Sequence, residues 1–393
     1  MARVAVAISA LSTLVLGTSV LRAGYGADND TFLMLRTWDV LRTQGTYVPS
    51  RYQGSPMAEL TIGAASQIGG HWMSGLVSVV LGVISLWCVY DLARRRIPSQ
   101  TDAAIVVAVV AATPVFTIAA TTSSDYVYGL CGFLIGWVMI ERGFSPVVVG
   151  VMLGVAAAGR ISYVPLGLAL VLLHPSITTA TRRLIAAGSI AVIALVAYLP
   201  AMLGAESALS IFTADRPTGQ GVIGLVARSV IKSGSIFGSV GSVVAIVLVA
   251  SAIRFRRANG MNRRDEHWEV ALVVIVAGLW VWLPAEPTYL LPGVVVVLIW
   301  LSRRLSHSTL RPLLLSLLAA TTLYGWVDIQ LLTVTYDSQY GIDSCIGTEA
   351  TGVSFAPTLV RGPSLVYPDL VDQNAACNET LRLLVDGQDA NRD

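Results

Sequence analysis

Long apolar runs separated by short polar breaks make up most of the chain. Runs of roughly 17–25 apolar residues recur, and each can cross a hydrocarbon core about 30 Å thick. The pattern predicts an all-α polytopic membrane protein with eleven crossings, near 4–22, 72–92, 103–121, 126–141, 145–159, 161–174, 183–203, 235–253, 268–284, 288–301 and 312–330. The first run, Val4–Leu21, is long for the apolar part of a cleaved signal and reads as a retained anchor. The runs 145–159 and 161–174 are short for full spans and meet at Gly159, Arg160 and Pro165.

Two polar stretches are longer than a connector requires. The loop 23–71 holds Asp28, Asp30, Asp39, Arg51 and Glu59, and its section Thr31–Leu41 reads as a helix. The loop 204–234 places Val222, Leu225, Val226, Ser229 and Val230 near one helical face and Arg228 and Lys232 on another, the pattern of a helix lying in the membrane interface. From 331 the chain turns polar and rich in Asp, Gly and Pro. The expected division is therefore a membrane domain, 1–330, and a small extracytoplasmic C-terminal segment, 331–393.

Composition agrees with the pattern. The chain of 393 residues is 54% hydrophobic and 13% charged, and its mean hydropathy is +0.69, which a soluble domain with a polar surface does not sustain. A net charge of +2 without a basic tail or patch points away from nucleic acid. Arginines at 3, 94–96, 142, 182–183, 254–264 and 303–311 all fall on one side of the predicted topology, so that side is expected to be cytoplasmic. The N-terminus is then inside, and 23–71, 122–125, 204–234, 285–287 and the C-terminus are outside. The expected location is a bacterial plasma membrane.

Candidate chemistry gathers on the outer face: Asp28 and Asp30 after the first run, Asp125 in a tight turn, Arg160 at the break, and Glu286 between Pro284 and Pro287. The four histidines, His71, His174, His267 and His307, form no HExxH or triad pattern, and no Walker loop is present. Metal hydrolysis, triad hydrolysis and ATP-driven work are thereby disfavoured. Carboxylates with an arginine suit proton removal from an acceptor hydroxyl and the holding of a phosphate leaving group, as in sugar transfer from a lipid phosphate. Cys88 and Cys131 lie in apolar runs as inert packing residues. Cys345 and Cys377 lie in the C-terminal segment, where an oxidising compartment favours a disulfide.

Five features carry a family resemblance: Asp28-Asn29-Asp30; the stretch Gly45-Thr46-Tyr47, Ser50-Arg51-Tyr52 and Gly54-Ser55-Pro56 ahead of Glu59; Ser124-Asp125; the hairpin at 153–173 around Arg160; and AEPTYLLP at 285–292. On these the chain, over about residues 1–330, resembles the GT-C superfamily of integral-membrane glycosyltransferases that use polyprenyl-phosphate sugars. The resemblance implies that Asp30 or Asp28 is the general base and that Arg160 contacts the donor phosphate. It implies a polyprenyl-phosphate sugar as donor and a glycan, glycolipid or protein as acceptor, with no required cofactor, although the acids would admit a divalent cation. Arg51 is a second candidate for the phosphate, and Glu59, Asp125, Tyr126, Glu286 and Tyr289 for substrate.

The residues leave alternatives open. Asp28 suits a helix cap, Arg51 a pairing with Glu59, Asp125 a turn, and Tyr52, Tyr126 and Tyr289 an interfacial aromatic belt. A transporter or lipid flippase would use similar intramembrane charge and broken helices, and a non-catalytic envelope subunit would leave the outer acids dispensable.

Overall fold

The computed structural model describes residues 30–51, 54–204, 229–230, 233–234, 236–258, 267–282, 287–323, 325–337 and 342–356. Its helices are α1 (Asp30–Gln44), α2 (Pro56–Arg96), α3 (Gln100–Ala112), α4 (Pro114–Thr121), α5 (Tyr126–Glu141), α6 (Pro146–Gly159), α7 (Tyr163–Leu173), α8 (Ala180–Gly204), α9 (Gly238–Ala258), α10 (His267–Trp282), α11 (Leu291–Ser302) and α12 (His307–Leu323), with a 3-10 turn at Pro287–Leu290. The first predicted span and most of the 204–234 loop lie outside the described residues.

The loop helix extends beyond its expected ends, to Asp30 and Gln44. The last part of the first loop is helical too, because α2 starts at Pro56 and reaches the span expected at 72–92 across a kink. It bends at Gly69 and Gly70, and Gly70 has φ 60°, a left-handed conformation that glycine adopts without a Cβ penalty. The span expected at 103–121 divides into α3 and α4 at Thr113, which Pro114 holds in extended backbone.

The last expected span needs correction. Its helix ends at Leu323, and β1 (Gly325–Asp337) and β2 (Ile342–Ala356) follow as an antiparallel pair, with Trp326 opposite Phe355 and Val334 opposite Cys345. The helical class therefore holds through Leu323, and a hairpin rich in β-branched residues succeeds it. Cys377, the expected partner of Cys345, lies outside the described residues. Cys88 and Cys131 are free and buried, as expected.

By length and composition, α2 and α8 can each cross a membrane; α3, α5, α6, α7, α10 and most of α9 and α11 are shorter apolar helices. The count of eleven stays a sequence expectation. Helix α2 is central and packs on α1, α3, α4, α5 and α6, while α6 lies between α5 and α8. Small residues permit these close approaches. A Cβ at Gly150 would stand 2.4 Å from the Ala186 carbonyl, and one at Gly132 would stand 2.9 Å from the Ala156 Cβ.

Ion pairs tie one end of the bundle. Asp91 receives Arg94, Arg95 and Arg142, Glu141 pairs with Arg96 and His174, Glu269 with Arg303, and Asp102 with His307 and Arg311. The Arg96 guanidinium also lies 4.9 Å from the Trp137 ring and 5.0 Å from the Trp268 ring. These residues come from the C-terminal ends of α2, α5, α7 and α11 and the N-terminal ends of α3, α10 and α12. Most of the arginine-bearing connections thus share one end, and the opposite end is left to other chemistry.

Candidate active site

At that opposite end, three segments remote in sequence meet on one carboxylate. Asp125 stands at the start of α5, where an aspartate ordinarily caps its own helix. It makes no capping bond. Arg51 Nη2 and Ser55 Oγ each donate to Asp125 Oδ2 at 2.6 Å, and Arg160 Nη1 lies 3.3 Å from Oδ1. The Asp125 side chain is 1% exposed. Burial pushes its carboxyl up, but Arg160 and Arg51, with the Ser55 hydroxyl, outweigh burial and hold it below the usual carboxylate range. Asp125, expected to bind substrate or to serve a turn, anchors two cations.

Arg160 ends α6 in extended backbone and is 7% exposed. Its guanidinium lies 4.3 Å from the Tyr126 ring and 4.0 Å from the Tyr289 ring, so both expected tyrosines stack on the cation. Asp125 is the counter-charge of this buried cation. Gly159 makes room for this arrangement, since a Cβ there would stand 3.0 Å from the Gly129 nitrogen and 3.1 Å from the Tyr128 Cβ.

Helix α7 begins beside Arg160, but its end offers few backbone donors to an anion. The Tyr163 and Val164 N–H groups donate to the Arg160 and Ile161 carbonyls, and Pro165 has none. The positive character of the break comes from the guanidinium. Tyr126, Arg160, Ser162, Tyr163, Thr288 and Tyr289 line a cavity of ≈ 10 Å³, about the room one water-sized group needs.

Arg51, 21% exposed, is the more open of the two cations. Its position depends on Glu59, which does not pair with it. Glu59 is fully buried and accepts from the Ser50 N–H at 3.0 Å, the Ser55 N–H at 2.9 Å, and the Ser50 and Tyr47 hydroxyls. The oxygens of Glu59, expected as a substrate contact, staple the loop 47–55 onto α2. Gly54, at φ 68°, makes the turn beneath it. Burial and the Glu59 charge together raise the Tyr47 phenol far above its ordinary value, so it remains a donor. Glu59→Ala would leave several buried donors without an acceptor and is expected to cost about 1–3 kcal/mol, read as a lower unfolding midpoint in detergent. A wild-type midpoint would show that the loop is held by other contacts.

Helix α1 docks on the turn that precedes Asp125. Asp30 opens α1, and the hydroxyl of the next residue, Thr31, donates to the Ser123 carbonyl at 2.8 Å, two residues before Asp125. Asp28, Tyr52 and Glu286 lie outside the described residues. Sequence reasoning missed Ser55 and Thr288 as site residues. Ser55 had a visible signal, because serine before Pro56 with an acid in the following turn marks a helix start, but nothing local announced that its hydroxyl would face Asp125.

No family model matches the chain, and no curated protein matches it. Two solved structures resemble it: ArnT from Cupriavidus metallidurans bound to undecaprenyl phosphate, at 17% identity and TM-score 0.57, and the same protein in the apo state, at 15% and 0.55. Each alignment covers 79% of this chain and 62% of the ArnT chain, so the chain spans less than two thirds of the length of the proteins it resembles. The likeness is one of fold: the helices of the chain are arranged on the ArnT pattern.

Proposed function

We propose that the protein transfers a sugar from a polyprenyl-phosphate carrier to an acceptor hydroxyl. The observation that carries the reading is the convergence of Arg51 and Arg160 on Asp125. Two guanidiniums meet at one carboxylate in a buried site, and such fork-shaped donors suit a phosphate monoester leaving group. One of the two neighbouring ArnT structures holds undecaprenyl phosphate, which supports a carrier of that class here.

In this reading Arg160 and Arg51 hold the phosphate, and Asp30 or Asp28 takes the proton from the acceptor. The bond from the sugar carbon to the phosphate oxygen breaks, its electron pair staying on the phosphate, as the acceptor oxygen bonds to the same carbon. Tyr289 stacks on Arg160, and Glu286 is a further candidate for substrate. Depth also supports the reading. A helix of 14 residues rises about 21 Å, short of a core about 30 Å thick, so a hairpin based at Pro146 presents Arg160 below the opposite surface. A phosphate at headgroup level can dip to that depth while its lipid tail stays in the bilayer. The site faces outward in the charge-derived topology, with the N-terminus cytoplasmic.

The test is transfer in membranes or nanodiscs supplied with polyprenyl-phosphate sugars, read as release of free polyprenyl phosphate. Turnover with at least one sugar is expected. It should survive chelation of divalent cations, because the guanidiniums supply the positive charge. Loss on chelation with rescue by added metal would overturn the metal-free mechanism. Binding of the carrier with no transfer from any sugar would overturn the enzyme reading in favour of a lipid transporter.

A further inference from the structure

We propose that Thr288 is a phosphate-contacting specificity residue, its hydroxyl donating to a phosphate oxygen that Arg160 engages from the other side of the cavity. The inference rests on the phosphate reading given above and adds to it a residue and a geometry. Thr288 is 7% exposed, and its Oγ1 is shut off from solvent with no hydrogen-bond partner. Buried hydroxyls are nearly always satisfied in folded proteins, and one left without a partner calls for an explanation. It sits in the 3-10 turn Pro287–Leu290, immediately before the Tyr289 ring that stacks on Arg160 at 4.0 Å. Thr288 and Arg160 line the same small cavity, with Tyr126 and Tyr163 as aromatic walls.

The chemistry selects the occupant. A group seated there must accept a hydrogen bond from a hydroxyl and sit beside a buried cation, which describes an anionic oxygen. The cavity has room for about one water-sized group, which fits one phosphate oxygen and excludes a sugar ring. The Tyr163 and Val164 N–H groups are already committed to the turn, so the hydroxyl supplies the neutral donor that a helix end would otherwise provide.

The measurement is the affinity of the purified full-length protein in nanodiscs for undecaprenyl phosphate and for undecaprenol. Thr288→Val is expected to weaken the phosphate about tenfold or more, as loss of a hydrogen bond to a charged group does, and to leave the alcohol unchanged. Thr288→Ser should restore most of the loss. If Thr288→Val does not fold, Thr288→Ala carries the same prediction. Wild-type phosphate affinity in the hydroxyl-free variant, with Arg160→Gln weakened, would overturn the role of Thr288 and leave the phosphate reading standing. Equal binding of phosphate and alcohol by the wild type would overturn both.

Discussion

Asp125→Asn is expected to abolish transfer and to destabilise the protein together. The carboxylate holds Arg160, buried between the Tyr126 and Tyr289 rings, and Arg51, delivered by the stapled first loop. Neutralising it removes the carboxylate that Arg160, buried, and Arg51 share. Breaking a buried pair by removing one partner costs about 3–5 kcal/mol. The Arg51 and Arg160 contacts depress the Asp125 pKa in the folded state. The stabilisation it brings is therefore complete above the unfolded-state value of about 3.9 and is lost as pH falls through the lower folded value. Wild type and variant should differ most in unfolding midpoint near neutral pH and converge on acidification. Equal midpoints at neutral pH would show that Asp125 does not anchor the cations.

Asp30→Asn should have the opposite signature, a loss of transfer without loss of fold. A positioned general base contributes about 10²–10⁴ in rate, and the effect should fall on the turnover number more than on the donor's KM. Asp28→Asn is the parallel measurement, since the resemblance admits either acid. Full activity in both variants would remove the first loop from the chemistry. Comparison with Asp125→Asn then separates a group that handles the proton from one that holds the cations.

Much of this molecule was legible along the chain. Apolar runs place helices because lipid leaves a backbone few other ways to satisfy its hydrogen bonds, and the arginines near their ends sorted most of the connections to one end. The break at Gly159, Arg160 and Pro165 was visible because a charge in an apolar run is costly and rare. The hairpin after Leu323 was not visible, because the apolar stretch 312–330 reads equally well as one more span. The mutual roles of the polar residues were not legible either. Asp125 looked like a turn residue and Glu59 like a ligand, yet the first anchors cations from segments 74 and 35 residues away, and the second binds its own loop.

By itself, then, the sequence determined that the chain is a helical membrane protein, with polar breaks that carry acids and one exceptional arginine. Only the tertiary structure decided that Arg51 and Arg160 share Asp125, that Glu59 is a staple, and that Thr288 lines a small cavity with Arg160. The reason is physical. Helix formation in an apolar medium is set by local composition, whereas the partner of a buried charge is set by which helix ends the packing brings together.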